Sequence, residues 1–309
     1  YIYYAHFRHL AKNKVFIPNN HKYLKRRHRQ RFQHKYYCQR SWDKYRGTLN
    51  IIDSNFTPLP DGPIIVGYAQ SWHTSDTPFL TFSEIAEQSD YNLVVYAFII
   101  PTENSEHIPQ LAVYQQGYQT SGAFDKQKLI DDIAVLKDKG VPVIVSVGGA
   151  TGHFRFNTET EKDEFVAGIK EIVDEYGFDG LDIDFEGPSM NFGASDLTDF
   201  SYEATAAYPR LRNTIDAFKE LKAHYGNGFI MTCAPETPYV QGGFNAYSDT
   251  VGSFLPVIDN LRDELDLVMV QLYNLGTQGS VFGLDRQLYG HSSGVNFVTA
   301  MTDMLMQGF

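Results

Sequence analysis

With 309 residues, 43% of them hydrophobic, the chain is long enough to bury a sizeable core as one large domain or two small ones. Its net charge of −11 is unevenly shared: residues 1–46 hold 13 of the 26 Lys and Arg and a single acid, Asp43, which leaves the remainder at −23. No run of about eighteen apolar residues argues for a transmembrane helix, and two cysteines, Cys38 and Cys233, are too few for a disulfide framework.

The first segment contains KRRHRQRFQHKYYCQR, basic residues interleaved with aromatics and without a period of two or 3.6. Such a run could neutralise phosphates and stack on bases. The abrupt change of composition near residue 50 instead sets residues 1–50 aside as a basic segment of unknown origin, outside the catalytic fold, and no nucleic-acid partner is expected.

From Pro63 onward, short β-branched runs alternate with amphipathic stretches. The runs are PIIVGYAQ (63–70), NLVVYAFII (92–100), VPVIVSVGG (141–149), FDGLDIDFE (178–186), FIMTCAPE (229–236) and LDLVMVQLYN (265–274). Asp125 to Lys139 reads as a helix that stops at Gly140. Phe165, Ile169, Ile172, Val173 and Tyr176 fall at helical spacing behind a Thr158/Glu161 capping box, with Gly177 at the helix end. A last helix is expected over VNFVTAMTDMLMQGF. Strand and helix in regular alternation imply parallel pairing with right-handed crossovers.

Two architectures fit this alternation, an open doubly wound sheet and a closed (β/α)8 TIM barrel. The run from Phe178 to Glu186 separates them. Asp182, Asp184 and Glu186 alternate with Leu181, Ile183 and Phe185, so the three acids share one strand face, with neighbours roughly 6.5 to 7 Å apart. Helices cover both faces of a doubly wound sheet, whereas one strand face of a barrel looks towards the axis and opens at the carboxyl end. We therefore expect an α/β protein with a TIM barrel over residues 62–309, of which six βα units can be counted.

Three carboxylates so close cannot all ionise cheaply, and repulsion plus partial burial is expected to raise at least one pKa. Glu186, nearest the mouth, is the natural proton donor. Acids at strand ends also cap helices or pair with Arg, and clustered carboxylates can bind Mg²⁺ or Mn²⁺. No His sits in the row and no phosphate-cradling glycine loop accompanies it, so no metal and no cofactor are expected.

DGLDIDFE resembles the DxxDxDxE signature of family 18 glycoside hydrolases, the chitinases and related endo-β-N-acetylglucosaminidases. GYAQSW (67–72), YAF (96–98) and SVGG (146–149) are similar to that family's first three strands, and APE (234–236) with YVQGG, and QLYN (271–274), to the fifth and sixth strands of bacterial chitinases. The resemblance implies retaining hydrolysis of β-1,4-N-acetylglucosamine linkages, with the substrate's own acetamido group as nucleophile. Glu186 would be the general acid and base, Asp184 would hold the acetamido N–H, Asp182 would share a proton beneath it, and Tyr273 would position the acetamido oxygen. Tyr68, Trp72, Phe98, Gly149, Ala234, Glu236, Gln271 and Asn274 are carried over as lining of the sugar site. Asp179, Gly180, Ser146 and Gly148 are taken as structural, and Cys233 as a small packed hydrophobe. Asn191 to Ser201 and Thr237 to Thr250 are candidate cleft walls.

The same resemblance implies a monomer, secreted, acting on chitin or its oligosaccharides, without a membrane. An endo-β-N-acetylglucosaminidase acting on N-glycans and a non-hydrolytic chitin-binding protein on the same fold remain open; the latter typically lacks the terminal Glu. Family members close the barrel with two further strands, the eighth carrying a Trp beneath the reacting sugar. Trp42 and Trp72 are the only tryptophans here, so the chain is expected to be incomplete at the C-terminus.

Overall fold

Every one of the six apolar runs becomes a strand. The structure, a computed structural model, describes residues 56–72, 79–113, 117–240, 250–271 and 273, and the backbone of short strands at 2–4, 281–282 and 288–289. The last expected helix, Asn274, and residues 241–249 of one candidate cleft wall lie outside the described residues. In chain order the elements are β1 (Ile2–Tyr4), β2 (Ile65–Gln70), α1 (Phe82–Gln88), β3 (Leu93–Pro101), β4 (Pro109–Leu111), β5 (Gln119–Thr120), β6 (Ala123–Phe124), α2 (Lys126–Asp138), β7 (Val143–Gly148), α3 (Glu159–Tyr176), β8 (Gly180–Asp184), α4 (Pro209–Tyr225), β9 (Ile230–Cys233), α5 (Leu255–Asn260), β10 (Leu267–Val268), β11 (Val281–Phe282) and β12 (Leu288–Tyr289).

The sheet order is β1-β2-β3-β7-β8-β9-β10, parallel from β2 to β10. β1 lies antiparallel on the β2 edge, in a segment whose sequence shows no strand period, and β4 folds back antiparallel on β3. The β5–β6 and β11–β12 pairs are separate two-stranded ribbons.

Helix ends follow local chemistry. Thr158 Oγ1 accepts from the Glu161 N–H at 3.2 Å while the Glu161 carboxylate accepts from the Thr158 N–H at 3.3 Å, the reciprocal box that starts α3. Gly177 ends it at φ 72°, a left-handed position that costs glycine nothing. Asp125 caps α2 by accepting from the Lys128 N–H.

Alternation along the strands sorts residues into two apolar layers. Val94, Tyr96, Val143, Val145, Leu181, Ile183, Phe185, Met231 and Cys233 pack against the helices. On the other face Ile64, Val66, Leu93, Val95, Ile144, Ile230, Leu267 and Met269 form a second, smaller cluster. Above that cluster the same face turns polar, with Tyr68 on β2, Ser146 on β7, Asp182 on β8 and Thr232 on β9. One bond reveals the curl. β2 and β8 are three positions apart, about 14 Å in a flat sheet, yet the Tyr68 hydroxyl donates to Asp182 at 2.9 Å. The sheet therefore wraps around that face, and the three acids look into its interior, as the barrel reading requires.

Candidate active site

Asp182 sits lowest and is fully buried. In register with it across β7 and β9 are Ser146 and Thr232. Ser146 Oγ donates at 2.7 Å and the Tyr68 hydroxyl at 2.9 Å to one carboxyl oxygen, and Thr232 Oγ1 donates at 2.6 Å to the other. Each such bond to a charged acceptor is worth about 1.5–3 kcal/mol, but withdrawing a carboxylate from water costs several kcal/mol. Burial wins: the Asp182 pKa is raised despite the three donors.

Asp184, one step higher, is 5% exposed and has the most strongly elevated pKa of the row. Burial is the main cause, followed by repulsion from Asp182 and Glu186. Glu186 is half-buried at the mouth, and its pKa is also raised, again first by burial and further by the carboxylate of Glu236, while Gln271, Asp184 and His153 act in the opposite sense. Asp184 and Glu186 act on each other: the Glu186 charge helps to raise the Asp184 pKa, while contact with Asp184 draws that of Glu186 down. All three acids thus hold protons more tightly than usual, with burial rather than repulsion as the leading cause.

Gln271 ties the upper pair together. Its side-chain nitrogen donates to Asp184 at 2.8 Å, to Glu186 at 2.9 Å and to the Ala234 carbonyl at 3.0 Å. Its backbone is pinned too: the N–H donates to the Pro235 carbonyl, and the carbonyl accepts from Thr237 Oγ1 at 2.6 Å. Ala234 is therefore a buried backbone acceptor in this cluster, and Glu236 bridges Gln271 across the β9 and β10 ends.

The glycines let the row stand where it does. Gly148 is at φ 118°, and a Cβ on it would lie 2.2 Å from the Asp184 carbonyl oxygen. A Cβ on Gly149 would lie 2.7 Å from the Phe98 ring, and the Gly149 N–H donates to the Asp184 carbonyl at 2.8 Å. Phe98 in turn stacks on Trp72, ring centroids 5.7 Å apart at 18°, and Trp72 is 42% exposed. Gly149, Phe98 and Trp72 thus form one aromatic wall. Tyr273 is exposed at the end of QLYN.

Asp179 and Gly180 belong to the opposite end of β8. Asp179 is fully buried, accepts from the Val143 N–H at 2.9 Å and the Thr57 N–H at 2.7 Å, and pairs with Lys137 at 2.9 Å. Gly180 lets β8 approach β9, since a Cβ there would meet the Ile230 carbonyl oxygen at 2.1 Å. Cys233 is buried in the helix-side layer. Phe192, Ala194 and Leu197 anchor the 191–201 segment to that same layer. Among the described residues no group of three His, Cys, Asp or Glu is arranged to hold a metal ion, and no helix is long and apolar enough to cross a membrane.

Sequence reasoning did not single out Thr232, His153 or Tyr239. Thr232 has the strand parity of Asp182 and could have been found by aligning the two strands. His153 follows β7, and Tyr239 follows β9; their approach to Glu186 depends on loop paths that no local pattern encodes.

Residues 64–309 match the family described as glycosyl hydrolases family 18. Chitinase ChiA of Flavobacterium johnsoniae is 54% identical over 259 residues, 84% of this chain and 16% of that protein. Chitinase Chi52 of Paenibacillus xylanexedens is 36% identical over 266 residues, 85% of this chain and 47% of that protein. The chain thus spans between 16% and 47% of the length of these two curated relatives. Among solved structures, a family GH18 chitinase from Chromobacterium violaceum matches with a TM-score of 0.65 at 30% identity, covering 79% of this chain and 58% of the other. Its parallel strands and crossover helices are accordingly those of a (β/α)8 barrel, six of whose strands lie among the described residues. Together with the match across residues 64–309, this makes the chain a member of the glycosyl hydrolases of family 18.

Proposed function

We propose that the protein to which this chain belongs hydrolyses β-1,4-N-acetylglucosamine linkages in chitin, with retention and with help from the substrate's acetamido group. The observation that carries this reading is the shared hold of Gln271 on Asp184 and Glu186, which keeps the two carboxyl groups side by side. Glu186, with its raised pKa, protonates the glycosidic oxygen and then takes a proton from water. Asp184 accepts the acetamido N–H, so that the acetamido oxygen faces the anomeric carbon and the cation that forms is stabilised. Asp182, fed by three hydroxyl donors, takes up or releases the share of the proton that Asp184 gives up. Tyr273 positions the acetamido oxygen, and the Trp72–Phe98 wall offers a flat surface to a sugar ring. The relatives named as chitinases support the substrate class. Chitin is an insoluble extracellular polymer, so the enzyme acts outside the cell.

The test compares hydrolysis of chitin oligomers by the native protein and by Glu186→Gln. A fall of roughly 10²- to 10⁴-fold is expected from loss of the acid; equal rates would end the role of Glu186. Binding of an N-acetylglucosamine thiazoline tests substrate assistance, and its absence in the folded protein would count against that step.

A further inference from the structure

We propose that Tyr239 and Glu236 support Glu186 from the turn after β9: the Tyr239 hydroxyl fixes the turn on which the Glu186 side chain stands, and the Glu236 carboxylate, paired in the sheet with Gln271, acts on Glu186 through its charge. Gly187 follows Glu186 at φ 49° and opens a short 3-10 turn, Gly187–Met190, where the chain leaves β8. Its N–H donates to the Tyr239 hydroxyl at 2.9 Å. A tyrosine hydroxyl has one proton, and its oxygen already accepts from Gly187; burial and the nearby Glu236 carboxylate raise the pKa of that hydroxyl.

The phenol is itself held. Tyr239 is 7% exposed, its N–H donates to the Glu236 carbonyl at 2.9 Å, and its own carbonyl accepts from the Phe254 N–H at 2.9 Å. Thr237, between the two, binds the Gln271 carbonyl. The short turn after β9 therefore grips both supports of Glu186, its backbone through Tyr239 and its side chain through Gln271. Without the phenol, the Gly187 N–H would lose its acceptor in a partly buried place, and the turn could relax.

Glu236 has a second effect, through space. The groups that face Glu186 are Asp184 from β8, Glu236 and Tyr239 from the turn after β9, His153 from the loop after β7, and the neutral Gln271 beyond β10. Glu236 repels a second negative charge and helps to keep Glu186 protonated, whereas Asp184 and His153 work against protonation. Glu236, read from the sequence as lining of the sugar site, is here assigned to the acid instead. The assignment rests on Glu186 being the proton donor.

Two variants separate the effects. Tyr239→Phe keeps the ring and removes the hydroxyl; exchange of the Gly187 amide should accelerate, and kcat on chitin oligomers should fall roughly tenfold with KM little changed. Glu236→Gln keeps the shape of the side chain but removes the charge, so the descending, high-pH limb of kcat should move down by roughly half a pH unit. Titration of ¹³C-labelled Glu186 in the same variant should show its carboxyl losing its proton at lower pH. Native Gly187 exchange in Tyr239→Phe, with a native Glu186 titration in Glu236→Gln, would overturn the proposal. If the native protein cleaves no oligomer, the hydrolase reading falls, while the exchange and titration measurements still decide on Tyr239 and Glu236.

Discussion

Gln271 donates to Asp184 at 2.8 Å and so joins the end of β10 to the top of the carboxylate row. Its 4% exposure leaves no water to take over that bond. Gln271→Leu should therefore strand two carboxyl groups without their donor. A loss of about 1–3 kcal/mol of stabilisation, read as a roughly 10- to 100-fold fall in kcat, is expected. Steady-state kinetics on chitin oligomers checks it; a change confined to KM would speak for a binding role instead.

The raised pKa values of Asp182 and Asp184 bear on stability. Both acids bind protons more tightly folded than unfolded, burial being the main cause. The stability this gives is complete below the ordinary aspartate pKa of about 4 and is lost as pH rises through the elevated folded values. Urea midpoints should accordingly decline as pH rises above the ordinary aspartate pKa of about 4, and decline less steeply in Asp184→Asn. Parallel curves for the two proteins would contradict this.

Two glycines with positive φ should respond differently to alanine. At Gly148 the new Cβ would meet the Asp184 carbonyl oxygen at 2.2 Å, while at Gly177 nothing lies within 4 Å. Gly177→Ala should cost only its left-handed backbone, about 1–2 kcal/mol. Gly148→Ala should cost clearly more, roughly 3 kcal/mol or above, because β7 and β8 must also part. Thermal unfolding of the two variants ranks them.

Asp179 lies just before β8, at the end away from Glu186, with bonds to Val143, Thr57 and Lys137. It closes the amino end of β8 onto β7 through the Val143 N–H and onto Lys137. Asp179→Ala should destabilise by about 3–5 kcal/mol, as removal of one partner from a buried ion pair does. The activity per folded molecule should stay within a few-fold of native, measured after correcting for the folded fraction.

Much of this was legible in the sequence because it is written in short periods. Alternation of Leu181, Ile183 and Phe185 with the three acids fixes which face each occupies, and Thr158 with Glu161 announces the start of α3 within four residues. Neither β1 nor the backward fold of β4 on β3 has such a period. Asp182 could be expected to sit beside Ser146, but its third donor, Thr232, lies 50 residues away along the chain. Tyr239 looked like part of a loop motif; its contact with Gly187 spans 52 residues and depends on how two turns meet at the rim. Burial outranking repulsion at Asp184 was likewise beyond the sequence, since spacing gives charge separation but not depth.

The apolar plug under Asp182, made by Val66, Val95, Ile144, Ile230 and their neighbours, closes the acid row from below among the described residues. An apolar floor carries no group that passes protons, so in the proposed mechanism the row exchanges them at the rim where the sugar would bind. With a sugar chain over the rim, the proposed mechanism would return the proton spent on the leaving sugar from the incoming water. On that proposal each turnover would begin and end with the same number of protons on the row.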